Sequence, residues 1–188
     1  QSSLSLYSRW SMSSRNFALA AYSSQVVWHS VRLKLIDPID LNTKLVSRDA
    51  TYKISSTYSS YPPLPSLLTG EGKYHGYRGY HAFCTDREPK PNVTIDLKKS
   101  EVIRRIIIEN RRDSYNRYMV QLDVEVSSTG KTWRKIWQSE ASKPTWTVDL
   151  KTPARARFMR ITLAGTGSYK SSRGMSLALR GVKIYADR

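Results

Sequence analysis

Arginine and lysine side chains form several short clusters in the sequence, with tyrosines between them. Guanidinium groups bind phosphate oxygens and aromatic rings stack on bases, so this pattern suits a protein that tracks a nucleic-acid backbone, although a solvated face produces it as well. The candidate contacts of a basic surface are Arg104, Arg105, Arg112, Arg155, Arg157 and Arg160. Lys170, Arg173, Tyr115, Tyr118 and Tyr169 extend the pattern. The sequence contains no RNA-binding motif, so any RNA contact would depend on shape and charge.

Few residues support catalysis. The three histidines, His29, His75 and His81, show no paired metal-ligand spacing with cysteine or glutamate. No glycine-rich segment is followed by Lys and Ser or Thr at the spacing of a phosphate-binding loop. A glycosidase would need two carboxylates facing each other across a cleft, which the sequence leaves open. We therefore predict a protein that is not an enzyme and that holds no metal and no cofactor.

The overall charge predicts an acidic partner. The chain has 31 Lys and Arg against 15 Asp and Glu, which gives a formal net charge of +16. A surplus of this size attracts polyanions such as RNA, anionic lipid or acidic glycans, and it exceeds what solubility alone requires. The sequence contains no apolar run of the length that a transmembrane helix needs.

Cys84 is the only cysteine, so no disulfide can form within the chain. Small secreted domains are usually rich in disulfides, and the count therefore disfavours that setting while leaving bacterial secretion open. We expect Cys84 to behave as a small buried apolar side chain rather than as a reactive thiol.

A boundary near Arg48 separates two regions. Residues 1–48 form a basic, Ser-rich arm, and residues 1–25 contain two arginines and no acid. That composition is typical of a mitochondrial transit peptide and equally of a plain flexible arm. Val26–Ile36 alternates in its second half, which makes it a candidate strand before a turn at Asp37 and Pro38.

Residues 49–188 show the pattern of many short strands. Val120–Val126 alternates apolar and polar side chains, so one face of this strand should be buried. A turn at Ser127–Lys131 leads to a returning strand at Thr132–Trp137. Further strands are expected at 102–108, 146–150, 159–163 and 182–185. Since no helical period of useful length occurs, we predict an all-β sandwich or barrel, interrupted by a Pro- and Gly-rich loop at residues 62–80.

Several segments of this region resemble one protein family. They are His81–Glu88, Pro91–Leu97, Asn110–Asp113 with Arg117, Thr129–Trp133 and the closing segment Leu177–Tyr185. Together they resemble the discoidin or coagulation factor 5/8 type C family, and within it the F-type lectin (fucolectin) branch, over roughly residues 49–188. The resemblance implies an all-β, galactose-binding-like fold, a jelly-roll β-sandwich of eight strands with ligand loops at one end and, here, an extended N-terminal arm.

The lectin branch implies a sugar site with one His and two Arg. Arg111, Asp113 and Arg117 match that pattern with a spacing one residue shorter, and guanidinium forks are suited to sugar hydroxyls. The family's His falls at Cys84, and His75 or His81 could substitute for it. The candidate ligand-binding residues are Arg111, Asp113, Arg117 and His81.

Other family positions differ in this sequence. The family's Trp pair falls at Asn92 and Val93, and a calcium-binding Glu of the closing strand falls at Gly181. A thiol is a poor substitute for an imidazole, and glycine offers calcium no carboxylate oxygen. These differences predict a sugar site that has lost part of its chemistry.

We therefore expect a non-catalytic accessory subunit of a large assembly, in a mitochondrial setting. Its partners would be other protein subunits, with RNA or anionic lipid reached through the basic surface. The alternative is a working carbohydrate-binding lectin, secreted or attached to an enzyme, with a glycan as its partner. The factor 5/8 branch further implies lipid binding through exposed apolar loop tips, a role that Leu64, Leu67 and Leu68 would take.

Overall fold

The computed structural model describes residues 42–59, 61–76, 78–165 and 174–188. The candidate strand at Val26–Ile36 and the residues Tyr169, Lys170 and Arg173 lie outside these ranges. The elements are β1 (Thr43–Leu45), β2 (Thr51–Ile54), α1 (Ser66–Thr69), β3 (Asn92–Asn110), a 3₁₀ helix (Ser114–Tyr118), β4 (Leu122–Ser127), β5 (Arg134–Gln138), β6 (Thr145–Leu163) and β7 (Leu179–Asp187). No helix in this part of the chain has the length and apolar character required to cross a membrane.

The strands pair antiparallel in the order β1-β7-β3-β6-β4-β5, and β2 pairs with β3. β3 pairs first with β2 and β6, and then with β6 and β7. Between these two parts the register shifts from Asp96 to Glu101, and Lys98 has a φ of 71°. Bulges and irregularities of this kind bend a strand. The long strands β3 and β6 therefore link both layers of the sandwich, and the predicted all-β jelly-roll class is confirmed.

Alternating side chains fill the space between the layers. Leu122, Val124 and Val126 of β4 are buried while Asp123 and Glu125 are only partly buried, as the sequence pattern predicts. The strands expected at 102–108 and 182–185 lie within β3 and β7. The two strands expected at 146–150 and 159–163 are parts of the single strand β6.

β1 lies on the N-terminal side of the boundary near Arg48. Its residues pair with Tyr185, Ala186 and Asp187 of β7. After β1, the Val46 amide donates to the Ile184 carbonyl at 2.9 Å. The sheet therefore includes the chain from Thr43 onward, and β7 is covered on its outer edge.

The Pro- and Gly-rich segment 62–80 contains the short helix α1. Leu67 and Leu68 are 1% and 4% exposed and belong to the core cluster. The helix ends at Gly70, whose φ of 72° lies in the left-handed region that glycine adopts without strain. The expectation of an exposed apolar loop tip is therefore wrong for Leu67 and Leu68, because both side chains complete the core beneath the loop.

Candidate functional site

A cavity of about 370 Å³ lies at one end of the sandwich, where the segments after β2 and β3, the segment before β7 and the long loop before β3 meet. Its size lies within the range of small-molecule binding sites. The lining residues are Tyr58, Tyr61, Gly76, Tyr80, His81, Cys84, Arg87, Arg111, Asp113, Tyr115, Tyr118, Met119, Gly174, Met175 and Ser176.

Backbone hydrogen bonds hold these segments together. The Tyr58 amide donates to the Cys84 carbonyl at 2.9 Å, which ties the loop after β2 to the long loop. The Arg112 amide donates to the Tyr80 carbonyl at 3.0 Å, which ties the loop after β3 to it as well. The Ala82 amide donates to a carbonyl of β7 at 2.8 Å. The cavity wall is therefore anchored to the sandwich rather than built from a single loop.

Arg111 and Asp113 form a two-pronged ion pair in this wall. The Nε and Nη2 of Arg111 each donate to one carboxylate oxygen at 2.6 Å, and the two side chains are only 11% and 16% exposed. Burial acts to raise the pKa of Asp113, but the hydrogen bonds and charge of Arg111 outweigh it and the pKa falls below its usual range. Asp113 is therefore ionised at neutral pH, and Arg111 keeps three of its five N–H groups outside this pair.

The loop that carries the pair is fixed from both sides. Asp113 Oδ1 also accepts from the Tyr115 amide at 3.2 Å, which caps the 3₁₀ helix. The buried Asn110 donates through Nδ2 to the carbonyls of Asn116 at 3.1 Å and Lys143 at 2.9 Å. The Asn-Arg-x-Asp segment thus combines an anchor, a cation and its counter-ion within four residues.

His81 contributes a neutral imidazole to the wall. It is 2% exposed, and its ring meets Tyr61 edge-on with 4.9 Å between the ring centroids. Burial, together with the nearby charge of Arg111, lowers its pKa to about 4. Nδ1 has no hydrogen-bond partner among the described residues. This nitrogen is shielded from solvent, and a buried ring nitrogen without a partner is costly, so Nδ1 belongs to the interior of the wall rather than to its open surface.

Cys84 lies in the same wall and is buried, which confirms that part of its prediction. Burial raises the pKa of its thiol, so the sulfur is protonated at neutral pH. The family's His position is therefore occupied by a small neutral side chain, while His81 lines the same cavity three positions earlier in the sequence.

The structure brings Arg111, Asp113 and His81 together but leaves Arg117 outside the cavity. Arg117 is exposed, and its guanidinium lies 5.0 Å from the ring centroid of Tyr118 and donates to the Tyr118 hydroxyl at 3.1 Å. Tyr118 lines the cavity, so Arg117 supports its wall from outside.

Two exposed tyrosines border the cavity, and neither was predicted as part of the sugar site. Tyr58 is 46% exposed and Tyr115 is 56% exposed, although both are large aromatic side chains. Tyr58 also stacks on Tyr61, with ring centroids 5.6 Å apart. The signal in the sequence is the Tyr-Ser-Ser-Tyr segment directly before Pro62, where aromatic side chains occur in an otherwise polar loop.

Most arginines proposed for a basic surface are paired with acids of neighbouring strands. Arg105 donates to Asp149 at 3.1 Å and Arg160 to Glu125 at 2.9 Å. Two further pairs are Arg104 with Asp187 and Arg157 with Asp96, and the hydrogen bonds from Arg157 lower the pKa of Asp96 to about 2. Arg112 and Arg155 are exposed and form no ion pair with the described residues. The six arginines therefore differ in how much of their charge is available to a partner.

The residues near the closing strand do not fit a calcium ion. At Gly181, a Cβ would lie 3.2 Å from the Glu109 carboxyl carbon. Glu109 already accepts from Arg180 at 3.0 Å and pairs with Lys183 at 3.3 Å. The described residues contain no group of three or more His, Cys, Asp or Glu side chains that could hold a metal.

Comparisons with known proteins agree with this architecture. A fucose binding module of Streptococcus pneumoniae is 19% identical, with a TM-score of 0.63 over 82% of this chain and 100% of that one. The serum fucolectin of Morone saxatilis is 16% identical, with a TM-score of 0.65 over 77% of this chain and 49% of that one. The family 32 module of Clostridium perfringens NanJ, solved with galactose, is 14% identical, with a TM-score of 0.57 over 76% and 98%.

No curated protein matches the chain by sequence. The family comparison, in contrast, matches the F5/8 type C domain over residues 51–178, which confirms the resemblance found in the sequence. The chain belongs to the F5/8 type C domain family.

Proposed function

We propose that the chain is a non-catalytic carbohydrate-binding module that holds a sugar in the cavity at its loop end. One observation carries this proposal: the Arg111–Asp113 ion pair and the imidazole of His81 line one cavity, which exposed tyrosines border. That combination of polar groups and aromatic rings is complementary to the hydroxyl groups and C–H faces of a sugar.

A sugar ring carries hydroxyls around its edge and C–H groups on its faces. The N–H groups of Arg111 outside its ion pair can donate to hydroxyl oxygens, and the Asp113 carboxylate has lone pairs left to accept from hydroxyl hydrogens. Neutral His81 can accept or donate, depending on its tautomer. The ring of Tyr58 or Tyr115 offers a flat apolar surface to a C–H face.

The acid content of the cavity favours binding rather than hydrolysis. Glycoside hydrolysis normally uses two carboxyl groups on either side of the bond that is cleaved. Among the described residues that line the cavity, Asp113 is the only acid, and both of its oxygens accept hydrogen bonds from Arg111. We infer that a bound sugar leaves the cavity unchanged.

Similar folds in the comparisons include a fucose binding module and a module solved with galactose. Fucosylated and galactosylated glycans are therefore the first ligands to test. A glycan array identifies a ligand, and titration calorimetry with the best oligosaccharide then gives its affinity. We expect Arg111→Ala to weaken binding about 100-fold, the size expected when hydrogen bonds from a charged donor are lost.

Arg111→Ala leaves Asp113 without its counter-ion, so the variant must be compared with Arg111→Lys. Lysine retains the charge but lacks the planar fork, and binding should still fall. Arg134→Ala is the matched control, because Arg134 is exposed on β5 and does not line the cavity. If the array shows no fucosylated or galactosylated ligand, or if both Arg111 variants bind normally, the proposal is wrong.

The accessory-subunit role and its mitochondrial setting stay predictions. They depend on the net charge of +16, on the basic arm, on the absence of a disulfide within the chain and on the differences from the family's sugar site. Sedimentation of a native extract in a gradient tests the prediction. Migration of the chain with a large complex would support it, whereas a free species with no co-migrating complex would contradict it.

A further inference from the structure

A second, open cleft of about 520 Å³ adjoins the cavity. It is lined by Arg78, Tyr80, Arg112, Asp113 and Ser114. Tyr80 and Asp113 also line the cavity, so these two residues form a wall that the cavity and the cleft share. A ligand longer than one sugar could therefore pass from the cavity into the cleft along this wall.

The cleft carries positive charge that no acid among the described residues balances. Arg78 and Arg112 are both exposed, and neither forms an ion pair with the described residues. The one acid of the cleft is Asp113, and Arg111 already donates to both of its oxygens. The two guanidiniums therefore keep their full charge toward solvent.

The backbone fixes the two segments that present these arginines. The Arg112 amide donates to the Tyr80 carbonyl at 3.0 Å, and the Tyr80 amide donates to the His75 carbonyl at 2.8 Å. Arg180 Nε donates to the Gly79 carbonyl at 3.2 Å, beside Arg78. The two segments are hydrogen-bonded to each other and to β7. The backbone positions of Arg78 and Arg112 are therefore fixed.

Two guanidiniums without acids suit an anion rather than a hydroxyl. Their planar forks match the oxygens of a carboxylate or a sulfate, and such charge-assisted bonds are stronger than those between neutral groups. We propose that the cleft takes a carboxylate or sulfate group on the sugar next to the one in the cavity, so that the preferred ligand is an anionic glycan. This inference rests on the proposed function of the cavity.

A nucleic acid is a weaker fit to the same charges. A phosphate backbone needs a row of available cations, but the arginines of β3 and β6 include four that are paired with acids. The cleft instead offers two cations beside a cavity with sugar-binding groups. An anionic glycan uses both features together.

The test compares matched ligands in titration calorimetry at constant salt concentration. One oligosaccharide found by the array is prepared in a neutral form, a sulfated form and a form with a carboxylate on the second sugar. We expect the wild type to bind at least one anionic form about tenfold more tightly than the neutral form. The two anionic forms show which anion the cleft prefers.

The double variant Arg78→Gln with Arg112→Gln should lose this preference and keep its affinity for the neutral form. Lys131→Gln with Arg134→Gln is the matched control, since both residues are exposed, line neither cavity nor cleft, and change the net charge equally. The control should keep the preference. If it loses the preference as well, long-range charge explains the effect and the inference is wrong.

Two further outcomes separate this inference from the proposed function. Binding of the neutral form without any gain from the anion would overturn the inference and leave the proposed function standing. Absence of binding by every form would overturn both.

If poly(U) competes as well as the anionic glycan, and Arg111→Ala does not change that competition, the cleft is a general polyanion surface and the inference is wrong.

Discussion

At the loop end, Arg111 and Asp113 form an ion pair inside the cavity wall, and their side chains are 11% and 16% exposed. On the sheet, Arg105 and Asp149 form a pair whose side chains are 15% and 55% exposed. Water and salt compete with the second pair much more than with the first. The difference shows that two arginine–aspartate pairs in one chain can have different roles. The pair on the sheet neutralises charge locally, and the pair in the cavity maintains a polar wall.

The same comparison shows where the net charge is available. Acids from neighbouring strands pair with Arg104, Arg105, Arg157 and Arg160. Arg78 and Arg112, at the loop end, have no such partner among the described residues. Among the described residues, positive charge is therefore unevenly available to a partner, because some cations have an acid on the neighbouring strand and others do not.

The largest effect on stability is expected from the titration of His81. Its pKa is about 4 in the folded chain, against about 6.5 for an unfolded histidine. Between these values the unfolded chain binds more protons, so the free energy of unfolding falls as the pH drops from 6.5 toward 4. The full loss is on the order of 3 kcal/mol.

Urea unfolding at several pH values from 7 to 4.5 measures the slope of the free energy of unfolding against pH. This interval lies above the range in which most carboxylates titrate. Groups that face His81 include Arg111, Asp113 and His75, so the variant His75→Gln is the control and should keep most of the slope. His81→Gln should flatten it. An equal slope in wild type and His81→Gln would mean that His81 is not the group that destabilises the fold in acid.

An effect of comparable size is expected when one acid is removed from each of the two pairs, Arg111–Asp113 and Arg105–Asp149. Asp113→Ala should cost about 2–4 kcal/mol, since it leaves a poorly exposed guanidinium unpaired and removes the cap at the Tyr115 amide. Asp149→Ala should cost less than about 1 kcal/mol, because Asp149 is 55% exposed against 16% for Asp113, and its removal opens the guanidinium of Arg105 to water. Chemical denaturation of both variants at pH 7 gives the comparison. Equal losses of unfolding free energy in Asp113→Ala and Asp149→Ala would show that burial does not distinguish the two pairs.

The sequence predicted the strands better than the contacts between them. Alternation in Val120–Val126 indicated β4 because side chains of a strand alternate between core and solvent whatever the rest of the chain does. The same pattern could not predict that β6 is one continuous strand, since Pro153 and charged residues interrupt its apolar alternation. The partners of the sheet arginines were equally hidden, because Arg157 and Asp96 are 61 residues apart and meet only through strand register.

The site was predictable where one short segment contains it. Arg111 and Asp113 share a segment and also share the cavity wall. Arg117 follows within the same segment, but the 3₁₀ helix turns it outward onto Tyr118. His81, Tyr58 and Met175 come from three separate loops, and no local pattern shows that these loops meet. Only the hydrogen bonds between the loops determine which side chains share the cavity.

A smaller effect is expected at the aromatic border of the cavity. Tyr115→Ala should weaken sugar binding about fivefold to tenfold, near 1 kcal/mol, through the loss of one stacking surface. Its effect on stability should be slight, because the side chain is 56% exposed. Calorimetry with the sugar and thermal unfolding separate the two readouts. Unchanged affinity would remove Tyr115 from the binding surface and leave Tyr58 as the candidate.

The smallest effect is expected from Arg104→Gln on the sheet. Arg104 pairs with Asp187 at the surface, where 44% and 34% of the two side chains remain exposed to water. The variant should keep the unfolding midpoint and the glycan affinity of the wild type within experimental error, although it removes one positive charge. For the anionic form of the glycan, an affinity that falls as far as in Arg112→Gln would show that binding follows total charge. An unchanged affinity beside a loss in Arg112→Gln would show that it follows the position of the charge.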